Sequence, residues 1–448
     1  MMRTTTDLWG NPVSNASATA IRGLEGAITL MNAYQADPLA AADRLIAEHP
    51  DVAMAHAFRA GMLATTGDKA FEGELAKSVA AAEALLPKAN DRERFHIAAA
   101  RAWLDGQFEQ AADSWGRAAL LYPRDILAVQ FSQLSDFFLG YSHMLRDRVA
   151  RVLPHWDKSV PNYGFLLGMY AFGLEESGDY AQAESLGREA VALDGRDAWA
   201  AHAVAHVMEM QGRSADGIEW LETTSKAWAP NGLFNFHNWW HKALFCLDSG
   251  NLQRALEVFD ENIAFGGYNQ ALELVDGSAM MWRLGTLGHD VDDRWTPIAD
   301  KWTSRIDDGY YAFNDLHAMM SFIGANRQAE QKLLLKAAER AVEGNGTNAM
   351  MTREIGLPSL KGFMAFGRGA YDEAIQHLLP VRGKANRFGG SHAQRDIFSW
   401  TLAEAALRAG DRSLAEGLIA ERLAQKPESR VNLAWDERVC HLPARLAA

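Results

Sequence analysis

The chain has 448 residues, 48% of them hydrophobic and 23% charged, with a net charge of −13. That length and balance describe a folded globular protein with room for a large core, not a disordered chain. The negative charge excludes a nucleic-acid binder, because a phosphate backbone needs a Lys/Arg surface.

The opening Met1-Met2-Arg3-Thr4-Thr5-Thr6-Asp7 has no apolar signal core, and no run of 18 apolar residues follows. These features predict a cytoplasmic protein with no membrane contact. Cys246 and Cys440 are the two cysteines, neither in a Cys-x-x-Cys pattern, which suits a reducing compartment.

In chain order, residues 1–24 read as an N-terminal extension, and His49-Pro50-Asp51 ends an early helix of an array that begins near residue 25 and runs to 448. The charge run from Lys88 to Arg94 reads as a solvated helix face. A motif then recurs in which Gly is followed five positions later by Ala: Gly106 with Ala111, Gly178 with Ala183, Gly250 with Ala255, Gly369 with Ala374 and, more weakly, Gly410 with Ala415. Degenerate copies fall at Gly212 and Gly324. Most separations are one or two units of roughly 36 residues, the period of helix-turn-helix repeats in which Gly closes helix A and Ala lets helix B pack closely. The pattern blurs over residues 262–308 and 343–350. Period-2 alternation is absent, so the expected architecture is all-α: a tetratricopeptide-like helix-turn-helix solenoid, closed around a central groove or pocket.

Two His-x-x-x-His pairs, His202/His206 and His237/His241, dominate the middle of this array. Residues at i and i+4 lie one above the other on a helix, so each pair aims two imidazoles in one direction. Both pairs fall on A helices, ahead of Gly212 and Gly250, and should face the groove as a staggered cluster. Glu209 continues the first stripe, and Asp276, Asp315 and His317 in later helices extend the lining. Three readings stay open. His202, His206, His237 and His241 are candidate ligands for a divalent metal. The same imidazoles with Glu209 and Asp276 are candidates for metal-free acid/base catalysis. They also suit helix packing beside Trp199, Trp239 and Trp240. Ala203 stands where a His-Glu-x-x-His metalloprotease needs Glu, which excludes that mechanism.

A second candidate is Gly389-Gly390-Ser391-His392-Ala393-Gln394-Arg395-Asp396. Ser391 and Gln394 spell a helix-capping box. Alternatively, Arg395 and the dipole of that helix hold the anionic part of a ligand, with Ser391, His392, Trp240, Asp315 and His317 as further candidate ligand-binding residues. No P-loop, dinucleotide fingerprint or Gly-x-Ser-x-Gly is present, so neither a nucleotide nor a redox cofactor is expected.

Several segments together resemble the tetratricopeptide repeat protein 38 family. They are Arg92-Glu93-Arg94-Phe95-His96, Tyr141 with Arg146-Asp147, Asp197 to His206, His237-Asn238-Trp239-Trp240-His241, Leu274-Val275-Asp276, Phe313 to His317, Ile355-Gly356-Leu357-Pro358 and Gly389 to Asp396. The resemblance spans nearly the whole chain and implies a tetratricopeptide-like α-helical fold; it hands over no reaction. At His392 the family carries Asn as well, so imidazole chemistry is not asked of that position.

The sequence thus predicts a His/Asp/Glu-lined pocket for a small molecule or short peptide, with hydrolysis as the chemistry such a pocket supports. The alternative is a non-catalytic scaffold gripping a partner peptide in its groove. Homo-oligomerisation is compatible with either.

Overall fold

The computed structural model describes residues 4–443; the outermost residues of the predicted extension and of the predicted array lie outside that range. Helices follow one another as antiparallel hairpins, and a residue in the left-handed region closes each inner turn. At Gly106, Gly178, Gly212, Gly250, Gly369 and Gly410 φ lies between +68° and +85°, where a Cβ is disfavoured. These are six of the turns expected from the repeat motif. The motif alanines Ala111, Ala183, Ala255, Ala374 and Ala415 are all fully buried against the partner helix. In the degenerate copy after Gly212 the equivalent position is Gly217, where an added Cβ would overlap the Phe245 ring.

Gly67, Gly140 and Gly288 close three further hairpins with φ of +64°, +66° and +81°. They lack the later Ala, which is why the motif passes over them. At the other degenerate copy Asn326, with φ +55°, makes the turn. Gly324 ends the helix Ala312–Gly324 instead, and a Cβ there would overlap Trp295.

The chain divides into two compact units, Met1–Val204 with Thr224–Asn235, and Ala205–Thr223 with Phe236–Ala448. The first contains a feature that periodicity did not show, an antiparallel pair of short strands, Thr4–Thr6 and Pro12–Ser14. Its first helix, Ala18–Asn32, starts ahead of the boundary drawn near residue 25, capped by the Ser17 side chain. Further hairpins follow, among them Asp91–Leu104 with Phe108–Leu121 and Tyr163–Glu175 with Tyr180–Leu193.

The run from Lys88 to Arg94 is a solvated face only in part: Lys88, Asp91 and Arg94 are exposed, but Arg92 and Glu93 are 1% and 0% exposed. Arg92 Nε and Nη2 donate to the two oxygens of Asp125 at 2.6 and 3.1 Å, and Nη1 lies 3.3 Å from Asp7. His96 Nε2 is 2.9 Å from the same Asp125. Burial alone would raise the Asp125 carboxyl, but Arg92 and His96 outweigh it and hold it far below the usual range. Glu93 accepts from the Ser14 N–H at 2.8 Å, so the strand pair is fastened to this buried charge cluster. A charge pattern on a helix is uninformative here because the carboxylates that bury Arg92 come from distant parts of the chain.

In the second unit, Asn235–Asp248 pairs with Leu252–Asn262, Ala271–Thr286 with Trp295–Thr303, and Ala312–Gly324 with Gln328–Ala341. The break near residue 346 is a short helix, Thr347–Met351, running into a π-turn, Thr352–Gly356, and the helix Leu357–Gly367. Pro358 has no N–H to return to Glu354, and the backbone widens so that the Leu357 N–H reaches the Thr352 carbonyl. Tyr371–Arg382, His392–Ala409, Arg412–Gln425 and Arg430–Cys440 complete this unit. No helix among the described residues is long and apolar enough to cross a membrane.

Removing Arg92 strands Asp125 in the core, and breaking a buried pair from one side costs about 3–5 kcal/mol. Arg92→Ala should therefore lower the urea midpoint of the first unit, followed by tryptophan fluorescence, by that equivalent. An unshifted midpoint would show that the cluster contributes nothing to stability.

Candidate functional site

The two helices that carry the histidine stripes end at consecutive repeat turns. In the second unit, His206 from Ala198–Met210 and His241 from Asn235–Asp248 lie side by side, with ring centroids 4.4 Å apart. His237, one turn earlier on its helix, meets His241 edge-on at 5.1 Å and 89°. One ring nitrogen from each of His206, His237 and His241 lies within 4.8 Å of the others. The expectation of a groove-facing cluster needs correction, because these rings are 0%, 4% and 0% exposed respectively. Apolar neighbours on both stripes, Ala205, Val207, Trp240 and Phe245, carry the imidazoles into the core with them.

Asp276, on the adjacent helix Ala271–Thr286, accepts from His237 Nδ1 at 2.7 Å. With the proton held on Nδ1, Asp276 fixes the tautomer and orientation of the His237 ring. Trp240 stacks on the same ring at 5.3 Å and 11°, fixing its plane. Burial raises the Asp276 carboxyl above its ordinary value, with His237 opposing the shift, and Oδ1 has no hydrogen-bond partner among the described residues. His241 is held well below the usual imidazole range, first by burial and then by His206 and His237 beside it. It is thus neutral at neutral pH.

His202 lies one turn before His206 on the same helix, within the first unit. There it packs among aromatic rings, 5.4 Å from Phe172, 5.1 Å from Trp199 and 5.0 Å from Phe234.

Glu209 continues the stripe in sequence but engages Lys426, whose Nζ is 2.5 Å from Glu209 Oε1 and 2.8 Å from Asp248 Oδ2. Glu209 Oε2 has no hydrogen-bond partner among the described residues, and burial raises its carboxyl. Trp240 is fully buried and lies under the guanidinium of Arg283, 5.6 Å from the ring, while Trp400 lies 5.8 Å from the same group. Arg283 itself is 1% exposed, with Nη1 and Nη2 donating to the carbonyls of Ala279 and Ala393 at 3.2 and 3.0 Å. Trp239, by contrast, is only half-buried and lies beneath Lys242.

Asp315 and His317 are both buried on Ala312–Gly324. His317 Nδ1–H donates to the Phe313 carbonyl at 2.8 Å, while Nε2 has no hydrogen-bond partner among the described residues. Burial depresses its pKa to about 3.

Ser391 forms the expected capping box: its hydroxyl accepts from the Gln394 N–H at 3.3 Å, and Gln394 Oε1 accepts from the Ser391 N–H at 3.0 Å. Ser391 is spent on the cap. Gly390, with φ +79°, could not carry a side chain without striking Phe313. Arg395 donates to the Gly390 carbonyl, and the neighbouring Asp396 is paired with Arg422 at 2.5 and 3.1 Å. Together Glu209, Arg382, His392, Arg395, Asp396 and Lys426 border a cleft of about 620 Å³.

Lys426, Asp248, Arg283 and Trp400 were not anticipated. Arg283 carried a readable signal, a lone charge inside the apolar run Met280-Met281-Trp282-Arg283-Leu284. Lys426 sits in a connection with no periodicity, and nothing local marks it.

No family model matches the chain. The crystal structure of yeast Tom70 is similar to it at 13% identity, covering 90% of this chain and 85% of that one, with a TM-score of 0.33.

A histidine buried neutral must take up a proton on unfolding in acid. With a folded value of about 3 against ~6.5 unfolded, the His317 contribution is intact above pH 6.5 and is lost as pH falls toward 3, at about 1.4 kcal/mol per pH unit. His317→Gln should therefore lose less stability than wild type between pH 7 and pH 5, by about 1–2 kcal/mol in paired urea titrations. Identical acid slopes would show that His317 is charged or exposed in the folded protein.

Proposed function

We propose that this helical-repeat protein holds a divalent transition metal between His206, His237 and His241 and uses it on a small molecule or short peptide, with hydrolysis as the reaction class. The observation that carries the reading is the convergence of three buried imidazole nitrogens within 4.8 Å, one of them oriented by a carboxylate. Three imidazole nitrogens suit zinc, and a carboxylate behind a ligating histidine is the usual outer partner. Such an ion polarises a carbonyl and makes water a nucleophile at neutral pH.

The protein's own groups supply the rest. Asp276 holds the proton on His237 Nδ1, and its second oxygen stands ready to accept from an incoming N–H or O–H. The depressed basicity of His241 keeps it unprotonated at neutral pH, so no proton competes for its lone pair. The absence of acidic donors from the trio favours a borderline ion such as zinc over magnesium or calcium, which take oxygen. The residues resembling the tetratricopeptide repeat protein 38 family fall on this centre, at His206, His237 to His241 and Asp276. Membership of that family and a cytoplasmic location are part of the same proposal.

The His237–Asp276 contact at 2.7 Å also supports a second reading, a metal-free acid/base dyad in which Asp276 tunes His237. Elemental analysis of gently purified protein separates the two. About one equivalent of zinc or a neighbouring transition metal is expected, lost in His206→Ala and His237→Ala and held 10–100-fold more weakly in Asp276→Asn. Protein that carries no metal and takes up none on titration with zinc chloride would overturn the metal reading in favour of the dyad.

A further inference from the structure

Resting on the proposal of a small-molecule or short-peptide site, we infer that the cleft beside Glu209 and Arg395 selects a ligand with a carboxylate at one end and an N–H donor, ammonium or amide, at the other. Amino-acid derivatives and the ends of short peptides have that chemistry.

One end of the cleft asks for an anion. The helix His392–Ala409 begins there, and its positive dipole end lies at the cleft wall with the Arg395 side chain. Arg382 lines the same wall, donating to Ser399 Oγ at 3.1 Å and paired with Glu421. A helix start and an arginine alone would be weak grounds.

The other end supplies the independent observation. Glu209 is 5% exposed, and while Oε1 is engaged by Lys426, Oε2 is without a hydrogen-bond partner among the described residues. Lys426 is shared, since it also serves Asp248, which in turn accepts from Ser429 Oγ at 2.9 Å. Two carboxylates therefore draw on one ammonium. Arg283 spends both terminal nitrogens on the carbonyls of Ala279 and Ala393 and donates no hydrogen bond to Oε2. A buried acceptor without a donor is destabilising, and a ligand N–H would relieve it on binding. Asp396 does not compete for that donor, because both its oxygens are held by Arg422.

Size agrees with this pairing. About 620 Å³ accommodates a dipeptide-sized molecule and falls within the usual range for small-ligand sites. The neutral ends of the cleft wall, Met210, Leu379 and Phe398, would contact its side chains.

The test is isothermal titration calorimetry of the full chain with L-alanyl-L-alanine, alongside its C-terminal amide and the monofunctional fragments propionate and ethylamine. Saturable binding of the dipeptide is expected, weakened about tenfold or more by amidation, by Arg395→Ala and by Glu209→Gln, with circular dichroism confirming that each variant is folded. Fragments that bind as well as the dipeptide, or affinity indifferent to amidation and to both substitutions, would overturn the inference. So would the absence of saturable binding at millimolar dipeptide. Metal content measured on the same samples separates the two proposals: metal without dipeptide binding sinks only this inference, and dipeptide binding without metal sinks only the metal reading.

Discussion

The constraint on which this structure depends is the left-handed turn that closes each helical hairpin. A glycine at φ near +75°, as at Gly212 and Gly250, stops helix A at a defined residue and returns the chain antiparallel. The small residue five positions on, Ala255 or Gly217, then decides how closely helix B can approach. With end point and spacing fixed, the register of every side chain on helix A follows. His206 stands closer to its turn glycine than His241 does to its own, by about one helical turn. That offset between stripes is what lets His237 and His241, a turn apart on one helix, both lie near His206 from the other.

Turn chemistry is local, and for that reason it was legible. Six turn glycines, and the buried alanines that follow five of them, were readable from spacing, as was the Ser391–Gln394 cap, because each satisfies its own backbone within a few residues. The repeat motif passes over the turns at Gly67, Gly140 and Gly288 because closure needs only the glycine; the later Ala is a packing choice. The pairing of His237 with Asp276 was legible in part, since both lie on A helices of successive repeats.

What could not be read is the pattern of compensation among buried charges. Arg92 and Glu93 look like a solvated run until Asp7, Asp125 and Ser14 arrive from elsewhere in the chain. Glu209 looks like a member of the histidine stripe until Lys426 arrives. In both cases periodicity assigns a face of the helix correctly and says nothing about the partner, because the partner is set by tertiary contact. The burial of the imidazoles themselves has the same origin. A helical stripe of His flanked by Ala, Val and Trp is consistent with a groove or a core, and only the packing of neighbouring helices decides.

The distribution of satisfied and unsatisfied atoms then separates structure from chemistry. Where buried charge serves the fold, as in Arg92–Asp125 and Arg422–Asp396, both carboxylate oxygens are engaged, and Asp396 is held at about 2 by Arg422 despite its burial. Asp276, Glu209 and His317 depart from that rule: each has one atom bonded and one acceptor without a donor among the described residues. Three acceptors of this kind in one unit cost several kcal/mol if they stay empty, a large share of the net stability of an ordinary fold. On the proposed reading, a ligand that brings donors would remove that cost, so the atoms that weaken the isolated fold would be the ones that give it selectivity.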